Sequence, residues 1–312
     1  MDAYAAVDIG SNTLRLLIAR VEGKNVIPLV VKRRITRLGG GIGRNGVLDP
    51  DAIRNSLDVL REYSRDMWQH HVLAYRATAT AAVRNASNRA ELLDRTLTEA
   101  GLAIDVISGE EEARLTLAGV LGVVKAGSGV SMVFDVGGAS TEFIRCKNGA
   151  AVTIKSIDLG AVTLTEQFLH DEDPPSARAV QQMMSHIQGK IQSVMKNMAA
   201  DDSEFDMLIG TAGTVTTLAA MLQRLEEYDP SRINNYVIDS KRLRELLHDL
   251  VTMNNASRSL LPGLEPGRAD IICAGGVIVL EIMNALGVDR MIASDAGLLE
   301  GIIVNLISKI SM

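Results

Sequence analysis

One short pattern occurs twice at a constant displacement. Val-Asp-Ile-Gly-Ser-Asn-Thr at 7–13 aligns without gaps on Phe-Asp-Val-Gly-Gly-Ala-Ser at 134–140, so that Asp8 falls on Asp135, Gly10 on Gly137 and Thr13 on Ser140, each 127 positions later. Around both copies the alternation of apolar and polar residues has the period of a strand. Residues 5–19 read as strand, glycine-bearing turn and strand, and the turn at 22–25 leads into a third strand at 26–32. After the second copy, 141–146 continues as strand, Lys147-Asn148-Gly149 turns, and 151–157 runs back. A chain that opens each half with the same three-strand meander is built of two related halves.

Between and after the meanders the period changes. Helices are predicted at 51–70, 88–100, 110–124, 176–198, 214–225, 240–253, 270–286 and 298–309, with strands at 72–78, 104–107, 207–209 and 290–293. Meanders followed by alternating helices and strands describe an α/β protein with mixed sheets. The small-residue stretch at 125–129 is the expected boundary between the halves.

Composition narrows the function classes. The chain has 312 residues, 47% of them hydrophobic, enough for two cored domains, and its net charge of −6 disfavours binding to duplex nucleic acid through bulk charge. Any anionic ligand must be met by local features. Two cysteines without neighbouring ligand residues suggest neither disulfides nor zinc and fit a reducing cytoplasm. The first residues lack the basic-then-apolar order of a signal peptide. The apolar stretch 271–288 is interrupted by Glu281, so no membrane span is expected.

The Asp-x-Gly turns carry the most chemical information. A glycine turn lets backbone N–H groups approach a phosphate, and the hydroxyls of Ser11, Thr13, Ser140 and Thr141 could add donors. The aspartate could hold a hydrated divalent cation. A single such hairpin is also an ordinary turn, and the duplication is what favours a clamp. A third glycine turn, Gly210-Thr211-Ala212-Gly213, lies between a strand and a helix and suits an anion, although taken alone it reads first as a tight strand-to-helix connection. The run Lys32, Arg33, Arg34 and Arg37 could line an anion track or form a solvated strand end. Met183, Met184, Met195 and Met198 are expected to pack a helix face or a subunit interface.

In this order and spacing, the segments 7–16, 134–143 and 208–219 resemble the two phosphate motifs and the glycine motif of the actin-like and sugar-kinase-like ATPase superfamily. Asp-Ile-Gly-Ser-Asn-Thr at 8–13, Ala-Thr-Ala-Ala-Val-Arg-Asn-Ala at 79–86, Ile-Ser-Gly-Glu-Glu-Glu-Ala-Arg at 107–114 and Asp-Val-Gly-Gly-Ala-Ser-Thr-Glu at 135–142 narrow the resemblance to the exopolyphosphatase and guanosine pentaphosphate phosphohydrolase family. The resemblance spans essentially the whole chain. It implies two actin-like (ribonuclease H-like) domains, 1–124 and 125–298, with 299–312 packing back on the first and an interdomain cleft holding the active site.

The resemblance further implies metal-dependent hydrolysis of a terminal phosphoanhydride. The expected substrate is inorganic polyphosphate, with guanosine pentaphosphate as the alternative; Mg²⁺ is the expected metal, with Mn²⁺ as a substitute, and a homodimer is expected. Glu112 is implied as the carboxylate that activates water. Asp135 and Glu142 are implied as metal ligands, with Asp8 a further candidate. Gly10, Ser11, Asn12, Thr13, Arg84, Gly137, Gly138, Ala139, Ser140, Thr141, Gly210, Thr211 and Gly213 are the expected phosphate-binding set. Ser108-x-x-Glu111 fits a capping box, which leaves Glu112, on the face of Leu115 and Gly119, free for chemistry. Three glutamates in a first helical turn are also explained by the helix dipole alone. Rival readings are a sugar-kinase-like or chaperone-like ATPase, which would transfer phosphate or turn over ATP, and a phosphate or nucleotide sensor without turnover.

Overall fold

The computed structural model describes residues 2–23, 25–124, 129–198, 205–265 and 267–310. The chain forms two compact units, Met1–Gly122 with Ala296–Met312, and Val123–Asp295. Of the expected linker at 125–129, only Gly129 falls within the described residues.

Unit 1 is built on strands β1 (Ala3–Ile9), β2 (Thr13–Glu22), β3 (Asn25–Ile35), β4 (Val72–Ala79) and β5 (Ile104–Val106), in the spatial order β3-β2-β1-β4-β5. The meander is antiparallel, and β4 and β5 add in parallel to its β1 side. The helices are α1 (Ile42–Asn45), α2 (Pro50–Gln69), α3 (Ala81–Asn85), α4 (Arg89–Ala100) and α5 (Gly109–Val120). Helix α2 starts where Asp49 accepts from the amides of Asp51 and Ala52, with Pro50 already set to a helical φ. Its helical repeat buries Ile53, Leu57, Leu60, Tyr63 and Met67 in one core cluster with Ile9, Leu14 and Leu16 of the sheet. The last helix of the chain, α13 (Leu298–Ile310), belongs to this unit and packs on α5. Two glycines permit the close approach: a Cβ on Gly119 would collide with the Gly297 carbonyl, and one on Gly301 with that of Leu115.

Unit 2 repeats the plan. Strands β6 (Val130–Val136), β7 (Thr141–Lys147), β8 (Ala150–Ile157), β9 (Met207–Thr211), β10 (Val237–Asp239) and β11 (Arg290–Ala293) lie in the order β8-β7-β6-β9-β11-β10. The meander is again antiparallel, β9 and β11 are again parallel additions, and β10 is an extra antiparallel edge. Its helices are α6 (Ala161–Leu164), continued by a π-helical turn at Thr165–Leu169, then α7 (Ala177–Met198), α8 (Ala212–Leu222), α9 (Pro230–Ile233), α10 (Ser240–Thr252), α11 (Asn255–Arg258) and α12 (Ile272–Leu286). Met183 and Met198 lie inside this unit's core, with Met184 and Met195 packed against it. Both units are therefore mixed-sheet α/β domains of the actin-like kind.

Helices of four or five residues leave no periodic signal because they are shorter than two turns. The helix expected over 110–124 ends at Val120, and that expected to start at 270 starts at Ile272. Strand β9 runs on to Thr211, and α8 begins at Ala212 rather than at 214. The third glycine motif is thus a strand passing directly into a helix, with Ala212 at a left-handed φ of 69°.

Candidate active site

In each unit the hairpin turn between the first two strands is fixed by one backbone bond. The Gly10 amide donates to the Thr13 carbonyl at 3.2 Å, and the Gly137 amide to the Ser140 carbonyl at 3.0 Å. The chain leaving the third strand then returns over the turn. In unit 1 the amides of Thr36 and Arg37 donate to the Asn12 carbonyl, and that of Gly39 to the Ser11 carbonyl at 2.7 Å. In unit 2 Ala161 donates to the Gly137 carbonyl, and Val162 and Thr163 to that of Gly138. With the carbonyls of Ser11, Asn12, Gly137 and Gly138 fixed in this way, the amides of Ser11, Asn12, Gly138 and Ala139 donate to no protein acceptor among the described residues. Such unbonded N–H groups at a glycine turn suit phosphate oxygens.

Two glycines that sequence reasoning did not single out make these overlays possible. A Cβ on Gly39 would come within 2.8 Å of Ser11 Cβ, and one on Gly160 would strike the Gly138 carbonyl and the Ala139 amide. Gly39 stands in the Leu38-Gly39-Gly40-Gly41 run, a visible signal; Gly160 is isolated in sequence.

The charged residues differ between the hairpins. Asp8, buried, accepts on Oδ2 from Arg15 Nε at 2.9 Å and lies 2.7 Å from a terminal guanidinium nitrogen, while its Oδ1 has no hydrogen-bond partner among the described residues. Asp135 instead stands directly across from Glu142, and both carboxylates are buried. Residues directly opposite share a face of the sheet. Glu142 Oε1 accepts from Ser140 Oγ at 2.8 Å and from Ser156 Oγ at 2.7 Å.

Two adjacent carboxylates suit a hard divalent cation of the Mg²⁺ type, which is held by one or two carboxylates with water and substrate phosphates completing its shell. Among the described residues no group of three or more His, Cys, Asp or Glu could hold a metal, and the pair fits that sparse mode. The hydroxyls of Ser140 and Thr141, expected to donate to phosphate, are used inside the unit: Ser140 by Glu142, and Thr141 by the Leu159 carbonyl. Both side chains are buried and bonded within the unit, so the amides are the remaining donors of that turn.

Helix α5 separates its three glutamates by partner. Ser108 Oγ accepts from the Glu111 amide at 3.1 Å, the first half of a capping box. The expected return contact from Glu111 is absent, because its carboxylate takes Arg76 at 2.6 Å. Glu110 pairs with Arg114 in solvent. Glu112 is buried beside Leu115 and Gly119, with Arg84 Nη1 3.3 Å from its Oε2. Arg84, on α3, also donates to the Ile107 carbonyl at 2.8 Å, which aims its guanidinium at the start of α5.

The third glycine motif divides by neighbour. Gly210 is a core position, since a Cβ there would strike Met291 and Phe134, whereas Gly213 makes room for the guanidinium of Arg268. Arg268 is buried and held by Glu265 at 2.5 Å; no spacing signal pointed to it. Of the basic run, Lys32 is held by Glu62 and Asp66 and Arg34 by Glu62, so these two serve the contact with α2. The hydrogen bonds to Asp66 and then Glu62 hold the Lys32 ammonium above its ordinary value. Both cysteines are free and buried, and burial pushes the Cys273 thiol up to about 11. Among the described residues no helix is long and apolar enough to cross a membrane.

The profile of the Ppx/GppA phosphatase family matches residues 17–310. Exopolyphosphatase 2 of Mycobacterium tuberculosis is 32% identical to the chain, over 97% of it and 98% of the relative. A guanosine-5'-triphosphate,3'-diphosphate pyrophosphatase of Vibrio parahaemolyticus is 28% identical over 98% of the chain, which spans 60% of that longer protein. The crystal structure of the Aquifex aeolicus Ppx/GppA family member superposes with a TM-score of 0.83 at 32% identity, covering 100% of this chain and 99% of that one. With two hairpins of matching geometry and these relatives, the chain belongs to the Ppx/GppA phosphatase family.

Proposed function

We propose that the protein is an exopolyphosphatase that releases the terminal phosphate of inorganic polyphosphate by attack of water, breaking the last P–O–P bond to yield orthophosphate and a chain one unit shorter. The observation that carries this reading is the buried Glu112, set by the Ser108 cap and flanked by Arg84, in a chain whose two hairpins present amides to phosphate.

In this mechanism Glu112 orients the water and accepts its proton as the oxygen approaches phosphorus. The amides of Ser11, Asn12, Gly138 and Ala139 donate to phosphate oxygens, and the fixed carbonyls of Ser11, Asn12, Gly137 and Gly138 hold the two turns without reorganisation. Arg84 supplies a planar fork for an equatorial oxygen. Asp135 and Glu142 would hold a Mg²⁺ ion, which when bound offsets the negative charge of the phosphates. Asp8, already neutralised in part by Arg15, would shape the first turn and contribute through its second oxygen. The Vibrio relative supports a second reading, removal of the 5' terminal phosphate of guanosine pentaphosphate, which needs the same chemistry on a nucleotide.

The test compares phosphate release from long polyphosphate, short polyphosphate, guanosine pentaphosphate and ATP, with and without Mg²⁺. The expected result is Mg²⁺-dependent release from polyphosphate exceeding that from the nucleotides. Faster release from guanosine pentaphosphate would establish the second reading, and ATP turnover above both would reject the two together.

A further inference from the structure

We infer that Ser156 is a positioning residue that sets the metal-binding carboxylate of Glu142, an inference that rests on the reading of Asp135 and Glu142 as metal ligands. Ser156 stands on β8 directly opposite Glu142 of β7, so the register alone places its side chain on the same face of the sheet. Its hydroxyl donates to Glu142 Oε1 at 2.7 Å, and Ser140 donates to the same oxygen at 2.8 Å from the other side. Glu142 is 1% exposed, whereas Ser156 is an exposed residue. A surface serine whose hydroxyl turns in to a buried carboxylate is placed by that carboxylate and not by packing.

Two donors converging on one oxygen fix the carboxyl plane. Glutamate has three side-chain torsions to order, and a ligand held in one orientation binds a cation without first losing that freedom. The tether comes from two directions in the fold: Ser140 holds the oxygen from the turn, and Ser156 from the neighbouring strand. Ser140 cannot be altered without touching the turn. Ser156 can, because its residue lies in solvent and its backbone ladder is independent of the side chain.

The experiment measures Mn²⁺ binding by electron paramagnetic resonance on the full chain without substrate, for wild type, Ser156→Ala, Ser156→Thr and Glu142→Gln, with thermal unfolding of each as a check on folding. Loss of an outer hydrogen bond to a ligand costs about 10-fold in metal affinity. The expected result is therefore a Kd raised about 10-fold in Ser156→Ala and restored in Ser156→Thr, with the metal concentration for half-maximal phosphate release rising by the same factor. Wild-type Mn²⁺ affinity in a folded Ser156→Ala protein, with binding lost in Glu142→Gln, would overturn the role of Ser156 alone. Wild-type affinity in Glu142→Gln would overturn the metal reading of the hairpin and this inference with it.

Discussion

The two hairpins have one backbone and opposite charge. Across unit 1 the strands bring Thr78, Asp8, Arg15 and Arg33 into one row, and across unit 2 the equivalent row is Thr211, Asp135, Glu142 and Ser156. Their formal charges are +1 and −2. In the first row the aspartate has its cation inside the protein, in Arg15. In the second, carboxylate faces carboxylate, and like charges directly opposite one another repel. On the proposed reading, the first turn receives phosphate beside an internally paired aspartate and the second beside a metal-binding pair. The position that diverged, 15 against 142, lies two residues past the shared motif.

Converting the second row into the first breaks this division most strongly. Glu142→Arg would place a guanidinium opposite Asp135; Mn²⁺ affinity is expected to fall by more than about 100-fold and Mg²⁺-dependent phosphate release with it, both measured on protein whose unfolding midpoint is unchanged or raised. Retained metal binding would mean that Asp135 and Glu142 are not the ligands. The converse change, Arg15→Gln, leaves a buried Asp8 without its cation and is expected to cost about 2–3 kcal/mol in urea unfolding. A loss below about 0.5 kcal/mol would show that the first row needs no internal cation.

Gly160→Ala probes the overlay that fixes the second turn. The added methyl meets the Gly138 carbonyl and Ala139 amide, and about 1–3 kcal/mol of destabilisation is expected by chemical denaturation. The smallest effect is expected at Glu110, whose pair with Arg114 is exposed to solvent: Glu110→Gln should shift stability by less than about 1 kcal/mol, and phosphate release by less than about twofold. A large loss of release there would move the catalytic assignment within the glutamate triplet.

The repeat, the meanders and the α/β class were legible because they rest on periodicity and on glycine at a fixed displacement. The tether of Glu142 to Ser156 was not, because strand register joins residues fourteen apart and depends on the bulge between Arg145 and Cys146. Gly160 and Arg268 were missed for a related reason: each acts on a turn distant in sequence through a contact that leaves no local pattern. The bonds of the Ser140 and Thr141 hydroxyls to Glu142 and to the Leu159 carbonyl were not legible either, since composition shows a hydroxyl but not the carboxylate or carbonyl beside it. The capping box at Ser108 was half right, its second half diverted when β4 brought Arg76 within reach of Glu111.

The most direct measurement is phosphate release from polyphosphate by Glu112→Gln, with Mn²⁺ binding and unfolding followed on the same protein. Removing a general base costs about 10²–10⁴-fold. A fall of at least about 100-fold, with metal affinity and stability retained, is the predicted result; release within a few-fold of wild type by the folded, metal-binding variant would contradict it.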